Sequence, residues 1–341
     1  MALTLEDIAK MVGVSRSTVS RVINGESNVN EETRQKVEKV IKELNFQPNL
    51  AARSLAAGRT KIIGLITPVG VNAIFSDPFF PLIMQNISSA CNRKGYSIML
   101  WLAEPEYERR TIHQVLYNGL VDGVIVSSMK LTDPIIQSLS EHNLPFVTIG
   151  RNPFEGNTCY VDSDNYNGAR DAIIHLINLG RKRISCITGP MDTIVGIDRF
   201  KGYQDALKSY GFTLHPDLVI EGNFSENSGY FAAQKLISLK TDAIFAASDV
   251  MAISAIRSIQ DSGLTVPDDI AVIGYDDIPQ AAVISPPLTT IRQPFSRMGS
   301  VAVDILLEMI EHPSSQPHRI VLPTELIIRA SSGTFTRSDR E

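Results

Sequence analysis

Residues 5–23 have the sequence LEDIAKMVGVSRSTVSRVI, which predicts two short helices joined near Gly13. Apolar side chains recur there at helical spacing and predict the inner face of the pair: Leu5, Ile8, Ala9, Val12, Val14, Val19 and Val22. The same spacing turns four side chains outward: Arg16, Ser17, Ser20 and Arg21. Ser15 stands at the N-cap position, so the second helix begins just before this polar and basic face.

This pattern is typical of a helix-turn-helix, which places its second helix in the major groove of DNA. A small three-helix domain with no DNA-binding role has a similar pattern, so the charge distribution along the chain is needed to distinguish the two. The whole chain carries a net charge of −5, yet residues 1–61 hold ten Lys and Arg against seven Asp and Glu. A locally basic head on an acidic body suits a chain of which only one part meets a polyanion.

Composition narrows the class of protein. The 341 residues suit two or three domains, and 43% hydrophobic with 20% charged residues is ordinary for a soluble globular protein. No apolar run reaches the length of a membrane span, and MALTLEDIAK has no basic region followed by an apolar one, so we expect a cytoplasmic protein without a membrane partner. Cys91, Cys159 and Cys186 are far apart and outside any CxxC pattern, which predicts neither a disulfide framework nor a metal site.

The next segment predicts a third helix and a linker. Asn30 is placed to cap the helix ETRQKVEKVIKELN, whose apolar face is formed by Val37, Val40, Ile41 and Leu44. Pro48 then ends the head, and LAARSLAA at residues 50–57 is a short helix former that stops at Gly58. So short a helix is marginal alone, which predicts that it orders when something packs on it.

From Lys61 onward, short β-branched runs alternate with amphipathic stretches, which is the pattern of parallel α/β folds. The alternation stops around residues 152–158 and begins again, with helices expected over about 106–118, 165–179, 198–210, 226–239, 249–262 and 295–310. We therefore expect an α/β body of two doubly wound lobes with a cleft between them. The predicted domains are a head at 1–47, a hinge helix and linker at 48–60, and an effector-binding and dimerisation domain at 61–341. Its N-lobe would span about 61–161 plus 292–323, and its C-lobe about 162–291 plus 324–341.

Several blocks of the chain carry a resemblance to a known family. TLEDIAKMVGVSRSTVSRVING, IGLI, GRKRISCITGP, DRFKGYQDAL, DAIFAASDVMAISAI, VPDDIAVIGYDD and PPLTTIRQP follow one another as in the lactose/galactose repressor (LacI/GalR) family of bacterial transcription regulators. This resemblance covers essentially the whole chain. It implies a dimeric or tetrameric repressor with a periplasmic-binding-protein-like effector domain, and the polar tail TRSDRE, which lacks leucine heptads, favours a dimer.

The resemblance also implies which residues contact DNA. Arg16, Ser17 and Arg21 would read bases, and arginine can donate two hydrogen bonds to guanine O6 and N7; contacts to phosphate alone are the alternative. Three further residues would bond the DNA backbone: Thr4, Ser15 and Asn24. The linker helix resembles the family's hinge helix, with Leu55 at the position that wedges into the minor groove and kinks the operator; an ordinary linker helix with a chance leucine is the alternative.

The effector site is expected at the carboxyl ends of the strands, where doubly wound sheets bind ligands. By resemblance, Asp276 would accept hydrogen bonds from ligand hydroxyls, Arg199 would clamp ligand oxygens, and Phe224 would place its ring against the ligand. The structural alternatives are an ion pair of Arg199 with Asp198 or another carboxylate, and packing of Phe224 beneath its loop. Weaker candidates are Asp77, Phe79, Arg151, Ser248 and Asp249, of which Asp249 could instead cap its helix. Aromatic rings, carboxylates and an arginine favour a mono- or oligosaccharide; a nucleobase or a sugar phosphate is the alternative.

Other functional classes fit the sequence less well. The phosphate-binding GxxxxGK[ST], the dinucleotide-binding GxGxxG after a strand, and the hydrolase GxSxG are all absent, and the six histidines are scattered, so we expect no catalytic residues and no cofactor. A transport-associated sugar-binding protein would share the two-lobed body but would lack a DNA-binding head. The expected partners are double-stranded operator DNA, a small-molecule effector and a second copy of the chain.

Overall fold

The computed structural model describes residues 3–23, 25–46, 59–67, 71–102, 119–127, 130–131, 134–141, 144–151, 158–313 and 316–333. The chain divides into two compact units, Met1–Lys61 and Ile62–Glu341. Asn24, Leu55, the whole of the hinge helix expected at residues 50–57 and the helix expected over 106–118 lie outside the described residues. None of the described helices is both long and apolar enough to cross a bilayer.

The first unit is a three-helix head made of α1 (Leu5–Val12), α2 (Arg16–Ile23) and α3 (Glu31–Glu43). Thr4 forms a capping box with Asp7, Gly13 ends α1 in the left-handed conformation at φ 75°, and the Asn30 side chain caps α3. The core of the head is small and apolar: Ile8, Ala9, Val19, Val22, Val37 and Phe46.

One detail at the end of α3 differs from the prediction. Leu44 was expected on the apolar face but is 39% exposed. The helix ends there, Asn45 takes a positive φ of 46°, and the Phe46 N–H bonds back to the Ile41 carbonyl at 2.9 Å. This turn carries Phe46, rather than Leu44, into the core.

The second unit contains two sheets. The first has the strand order β11-β5-β4-β3-β1-β2, and all of its pairs are parallel. Its strands are β1 (Ile62–Ile66), β2 (Ser97–Trp101), β3 (Gly123–Ser127), β4 (Phe146–Ile149), β5 (Cys159–Ser163) and β11 (Arg319–Leu322). Its helices are α4 (Val71–Ser76), α5 (Phe79–Arg93), α6 (Pro134–Glu141) and α11 (Phe295–Glu311). Together these elements are called lobe 1.

The second sheet has the order β12-β10-β9-β8-β6-β7, and β12 is antiparallel to β10. Its strands are β6 (Ile184–Thr188), β7 (Val219–Glu221), β8 (Ala243–Ala246), β9 (Ala271–Asp276), β10 (Thr289–Arg292) and β12 (Glu325–Ile327). Its helices are α7 (Asn165–Asn178), α8 (Ile194–Ser209), α9 (Glu226–Ser238) and α10 (Asp249–Asp261). Together these elements are called lobe 2, and its strands β6, β8 and β9 are buried on both faces, as parallel sheets covered by helices require.

The chain crosses between the lobes three times, after β5, after β10 and after β11. The crossings lie side by side, since Ser163 Oγ donates to Gln293 Oε1 at 2.7 Å and the Asp164 N–H donates to the Leu322 carbonyl at 2.8 Å. Because β5, β9 and β10 end here, the carboxyl ends of the strands face the gap between the lobes.

The helix expected over 198–210 begins earlier, at Ile194. Thr193 is its N-cap, and the Thr193 side chain accepts the Gly196 N–H at 3.0 Å. Arg199 therefore lies more than one turn inside α8, with its backbone fixed by the helix.

Candidate functional site

The outward face of α2 is the candidate nucleic-acid interface. Arg16, Ser17 and Arg21 are exposed, and Ser20 is half-buried. Ser15 Oγ accepts the Thr18 N–H at 3.1 Å, which fixes the start of the helix, and lies 2.7 Å from Ser17 Oγ. The nearest carboxylate to Arg21 is Glu26 at 3.9 Å, a long and solvated contact.

Thr4, the other expected DNA contact described by the structure, takes part in capping α1. Its Oγ1 donates to Asp7 Oδ2 at 2.7 Å and accepts the Asp7 N–H at 3.3 Å. The bonds that the Thr4 hydroxyl and, at 2.9 Å, the Thr4 N–H donate to the Asp7 carboxylate lower the pKa of Asp7. The cap fixes the position of Thr4 at the amino end of the helix pair.

A cleft with an empty volume of about 420 Å³, open mouth included, lies at the strand ends of the second unit. It is lined by Asp77, Phe79, Ile149, Gly150, Asp162, Ser163, Asn165, Val195, Arg199, Phe224, Asp276, Gln293 and Met298. Five of the eight expected effector residues are in this set: Asp77, Phe79, Arg199, Phe224 and Asp276.

Arg199 is almost completely buried in the floor of the cleft. Its Nε donates to Asn165 Oδ1 at 2.8 Å, and its Nη2 lies 3.4 Å from Asp276 Oδ1. Its Nη1 donates to the Ala247 carbonyl at 2.6 Å, and the guanidinium stacks 3.6 Å over the Tyr275 ring. The guanidinium is thus oriented on all sides, and the structure shows the pairing with another carboxylate, that of Asp276, which was the alternative to a ligand role.

A closed ring of hydrogen bonds continues from this arginine. Gln293 Nε2 donates to Asp276 Oδ1 at 2.7 Å, and Ser163 Oγ donates to Gln293 Oε1 at 2.7 Å. The Ser163 N–H donates to Asp162 Oδ1 at 2.9 Å, and Asn165 Nδ2 donates to the same oxygen at 3.2 Å. Asn165 Oδ1 then returns to Arg199. Each polar side chain in the ring is held in one orientation, which is the preorganisation that a binding site needs.

The carboxylates of the cleft are desolvated. Burial, followed by the charge of Asp276, raises the pKa of Asp77 to about 7. Burial raises the pKa of Asp162 to about 6 although Arg151 opposes the shift, and burial also raises the pKa of Asp276. Three carboxyl groups against the single guanidinium of Arg199 make the lining acidic and rich in hydrogen-bond acceptors.

Two aromatic side chains supply flat surfaces. Phe224 has a positive φ of 62°, and its ring lies over Gly189, where a Cβ would come within 2.6 Å of the ring carbon Cε1. Phe79 packs edge-on against Phe80 and Phe295, with ring centroids 5.3 and 5.6 Å away. Phe224 therefore both lines the cleft and packs on its own lobe, so a ligand contact and packing beneath its loop are compatible for this residue.

Three expected effector residues do not line the cleft in the described part of the chain. Arg151 follows β4 in lobe 1 and binds Asp198 on α8 of lobe 2, with Nη2 2.7 Å from Oδ1. Its Nη1 also lies 3.6 Å from Asp162 Oδ2. Ser248 caps α10 by accepting the Met251 N–H at 3.3 Å, and Asp249 is buried beneath β9.

Sequence reasoning missed several lining residues, notably Asp162, Asn165 and Gln293. A usable signal was present, because Asp162 lies in the last two residues of β5, Asn165 comes just after that strand and Gln293 directly follows β10, the positions that the strand-end rule selects. Within the described residues, no group of three or more His, Cys, Asp or Glu could hold a metal ion.

Comparison with known proteins covers both units. Residues 4–49 match the model of bacterial regulatory proteins of the lacI family, and residues 173–332 match a periplasmic binding protein-like domain. The transcriptional regulator CelR of Thermobifida fusca is 38% identical over 333 residues, covering 96% of this chain and 98% of CelR. The ribose operon repressor of Escherichia coli K12 is 35% identical, covering 96% of this chain and 99% of that protein.

Solved structures agree with these matches. A complex of CelR with cellobiose aligns with a TM-score of 0.76 at 37% identity, covering 96% of this chain and 99% of that one. A lac repressor dimer bound to operator and the anti-inducer ONPF aligns with a TM-score of 0.87 at 30% identity, covering 98% and 100%. The similarity thus extends over the head and both lobes.

Proposed function

The chain belongs to the LacI family of bacterial transcription regulators, and from this premise we propose that it is a repressor that binds a palindromic operator as a dimer under the control of a saccharide. It is a DNA-binding regulator and not an enzyme. In this proposal residues 1–47 bind DNA, residues 48–60 form the hinge helix and linker, and residues 61–341 bind the effector and dimerise. Its place of action is the cytoplasm, where the operator is.

DNA recognition is assigned to the exposed face of α2. Arg16, Ser17 and Arg21 read base edges in each half-site, since their side chains are exposed on the outward face of α2, the helix that a helix-turn-helix presents to the groove. Thr4, Ser15 and Asn24 position the head on the DNA backbone. Leu55 enters the minor groove at the operator centre, where an apolar wedge unstacks a base step.

Two substitutions separate base reading from charge. Arg16→Ala should weaken binding to the selected palindrome far more than binding to random duplex, because a base contact is worth about 1–3 kcal/mol only on the correct base. Lys10→Ala, at an exposed lysine of α1, is the control and should weaken both equally. Leu55→Ala should likewise affect the palindrome preferentially. Fluorescence anisotropy with both duplexes measures the ratio, and an equal loss on both duplexes for Arg16→Ala contradicts the assignment.

The effector is assigned as a neutral saccharide on the lining of the cleft. Asp77 and Asp276 offer acceptors for sugar hydroxyls, while the rings of Phe79 and Phe224 suit the C–H faces of a sugar ring. The observation that carries this assignment is the pairing of Arg199 with Asp276 inside an acidic lining. An anionic ligand such as a sugar phosphate would add charge to carboxylates that are already costly to bury.

A thermal-shift panel on the full chain tests the ligand class, with cellobiose, ribose, glucose 6-phosphate and hypoxanthine as probes. A neutral sugar at 100 times its Kd should stabilise the protein by about 2.7 kcal/mol. The same sugar should change the affinity for the operator in the anisotropy assay. Stabilisation by the phosphate or the base alone would overturn the saccharide assignment and leave the regulator assignment intact.

A further inference from the structure

Asp249 is the first residue of α10 and is completely buried. Its carboxylate lies against β9 at Gly274, where a Cβ would collide with Asp249 Oδ1. The absence of a side chain at Gly274 therefore gives this carboxylate its space. The carboxylate does not reach the lining of the cleft, so any role in effector binding has to act through a neighbour.

That neighbour is the turn in which β9 ends. Asp276 and Asp277 both have positive φ, 123° and 58°, although neither is glycine. Consecutive residues in such sparsely populated regions persist only where surrounding bonds hold them. The turn matters for binding because Asp276, its first residue, faces Arg199 and Gln293 in the cleft.

Asp249 binds this turn from two sides. Its Oδ2 accepts the Ile278 N–H at 2.9 Å, which fixes the chain just after the two strained residues. Its own backbone N–H bonds to the Asp276 carboxylate. Its Oδ1 accepts the hydroxyl of Thr290 on the adjacent strand β10 at 2.5 Å, which ties the turn to the strand that leads to Gln293.

We propose that Asp249 is a positioning residue of the effector site, which holds the turn at residues 276–278 so that the Asp276 carboxylate stays directed at the ligand. The inference rests on the proposed effector site. Asp277 is held separately, by Arg292 at 2.7 Å and Arg329 at 2.6 Å, and both contacts act on its side chain. Asp249 instead holds the backbone N–H that follows the strained pair.

Burying the Asp249 carboxyl group beside Asp276 costs free energy, which argues against a merely space-filling role for this residue. Burial and the nearby Asp276 carboxylate raise the pKa of Asp249 to about 8. A buried acid beside a second acid is tolerated where its hydrogen bonds define a geometry. An apolar residue at this position would avoid the desolvation cost and would leave the Ile278 N–H without its acceptor.

The test uses the full chain and four variants. Asp249→Ala removes both side-chain bonds, Asp249→Asn keeps a carbonyl acceptor in the same shape, and Thr290→Val removes only the bond on the far oxygen. Asp242→Ala is the matched control, because Asp242 accepts two backbone N–H bonds, from Lys182 at 2.7 Å and Arg183 at 2.9 Å, at the opposite end of the strands of lobe 2.

Hydrogen exchange of a peptide spanning residues 276–284 is the first measurement, and it requires no ligand. Asp249→Ala should raise exchange there while Asp242→Ala leaves it at the wild-type rate. Cellobiose affinity by calorimetry is the second measurement. Asp249→Ala should lose about tenfold or more, Asp249→Asn should recover most of the loss, and Thr290→Val should fall between them.

Wild-type exchange in Asp249→Ala, or an equal affinity loss in Asp242→Ala, would overturn the positioning role. If Asp249→Ala fails to fold, Asp249→Leu takes its place, because an apolar side chain also leaves the Ile278 N–H without its acceptor, and wild-type exchange in that variant would overturn the positioning role. A wild-type protein that binds no sugar would contradict the proposed effector class, while the exchange measurement would still decide whether Asp249 holds the turn.

Discussion

Replacement of Asp77 by Asn should stabilise the protein at neutral and alkaline pH. Asp77 is 92% shielded from solvent at the cleft mouth, since its exposed fraction is 8%, and its Oδ1 accepts the Phe79 N–H at 3.0 Å. Asparagine keeps that acceptor and the shape of the side chain. It removes the charge, which burial and Asp276 both disfavour.

The sign and size follow from the pKa of Asp77. Folding raises this pKa from 3.8 to about 7, so between these values the folded protein keeps a proton that the unfolded chain releases. The free energy of unfolding therefore falls as pH rises through this window. At about 1.36 kcal/mol per pH unit the cost reaches about 4 kcal/mol above pH 7, and Asp77→Asn avoids it. The variant should equal the wild type near pH 4 and exceed it by up to that amount at pH 8.

Urea unfolding of the full chain at pH 4, 6 and 8 measures the difference. Asp269→Asn is a control of opposite sign, because hydrogen bonds from Thr265 lower the pKa of Asp269. That variant should be less stable than the wild type by a nearly constant amount at pH 6 and 8, and the difference should shrink as the pH falls to 4 and below. A gain for Asp77→Asn that does not vary with pH, or a loss at pH 8, would refute the assignment of Asp77 as a desolvated acid at the cleft.

Three further outcomes are expected. Gly189→Ala should lower saccharide affinity about tenfold in calorimetry, since the new Cβ displaces the Phe224 ring. Operator affinity measured without sugar should be unchanged. A variant that binds the sugar with wild-type affinity would contradict the role of that ring. Arg151→Met should cost about 2 kcal/mol at pH 8 in urea unfolding and less at pH 5, because Asp162 and Asp198 lose their shared cation; a pH-independent cost would count against the ion pair. Burial lowers the pKa of His175 below 6.5, so the unfolded chain takes up a proton first and the free energy of unfolding falls as the pH drops below about 6.5. His175→Gln should therefore reduce the change of melting temperature between pH 7 and 5. An unchanged slope of melting temperature against pH would disprove this.

Local rules predicted much of the site. The strand-end rule selected Asp276, and capping chemistry placed Ser15 and Asn30 at helix starts, because each depends on neighbours a few residues away. Arg199 was predicted as a ligand residue. Which carboxylate it pairs with, Asp198 or another, could not be decided from the sequence without knowing where the helix begins. With α8 starting at Ile194, adjacent residues point about 100° apart, which separates Asp198 from Arg199.

Side-chain contacts between residues far apart in the sequence could not be predicted from it. Arg151 meets Asp198 and Ser163 meets Gln293 because two lobes close on each other, and no local pattern encodes either contact. Asp249 shows a subtler case. Asp249 follows strand β8, as a ligand residue would, but its carboxylate packs beneath β9 in the space left by Gly274. The sequence around β8 does not show how the neighbouring strand β9 packs.

Helix α8 joins ligand contact and lobe contact within a few residues. Arg199 faces the cleft, while Asp198, the preceding residue, binds Arg151 of lobe 1. Just before the helix, the Asp192 carbonyl accepts the Leu131 N–H at 3.0 Å, which is a second contact with lobe 1. The buried Arg199 guanidinium is bonded to Asn165 and paired with Asp276, so its position is tied to that of α8. A displacement of α8 would change both lobe contacts, so we propose that ligand binding alters the angle between the lobes through this helix.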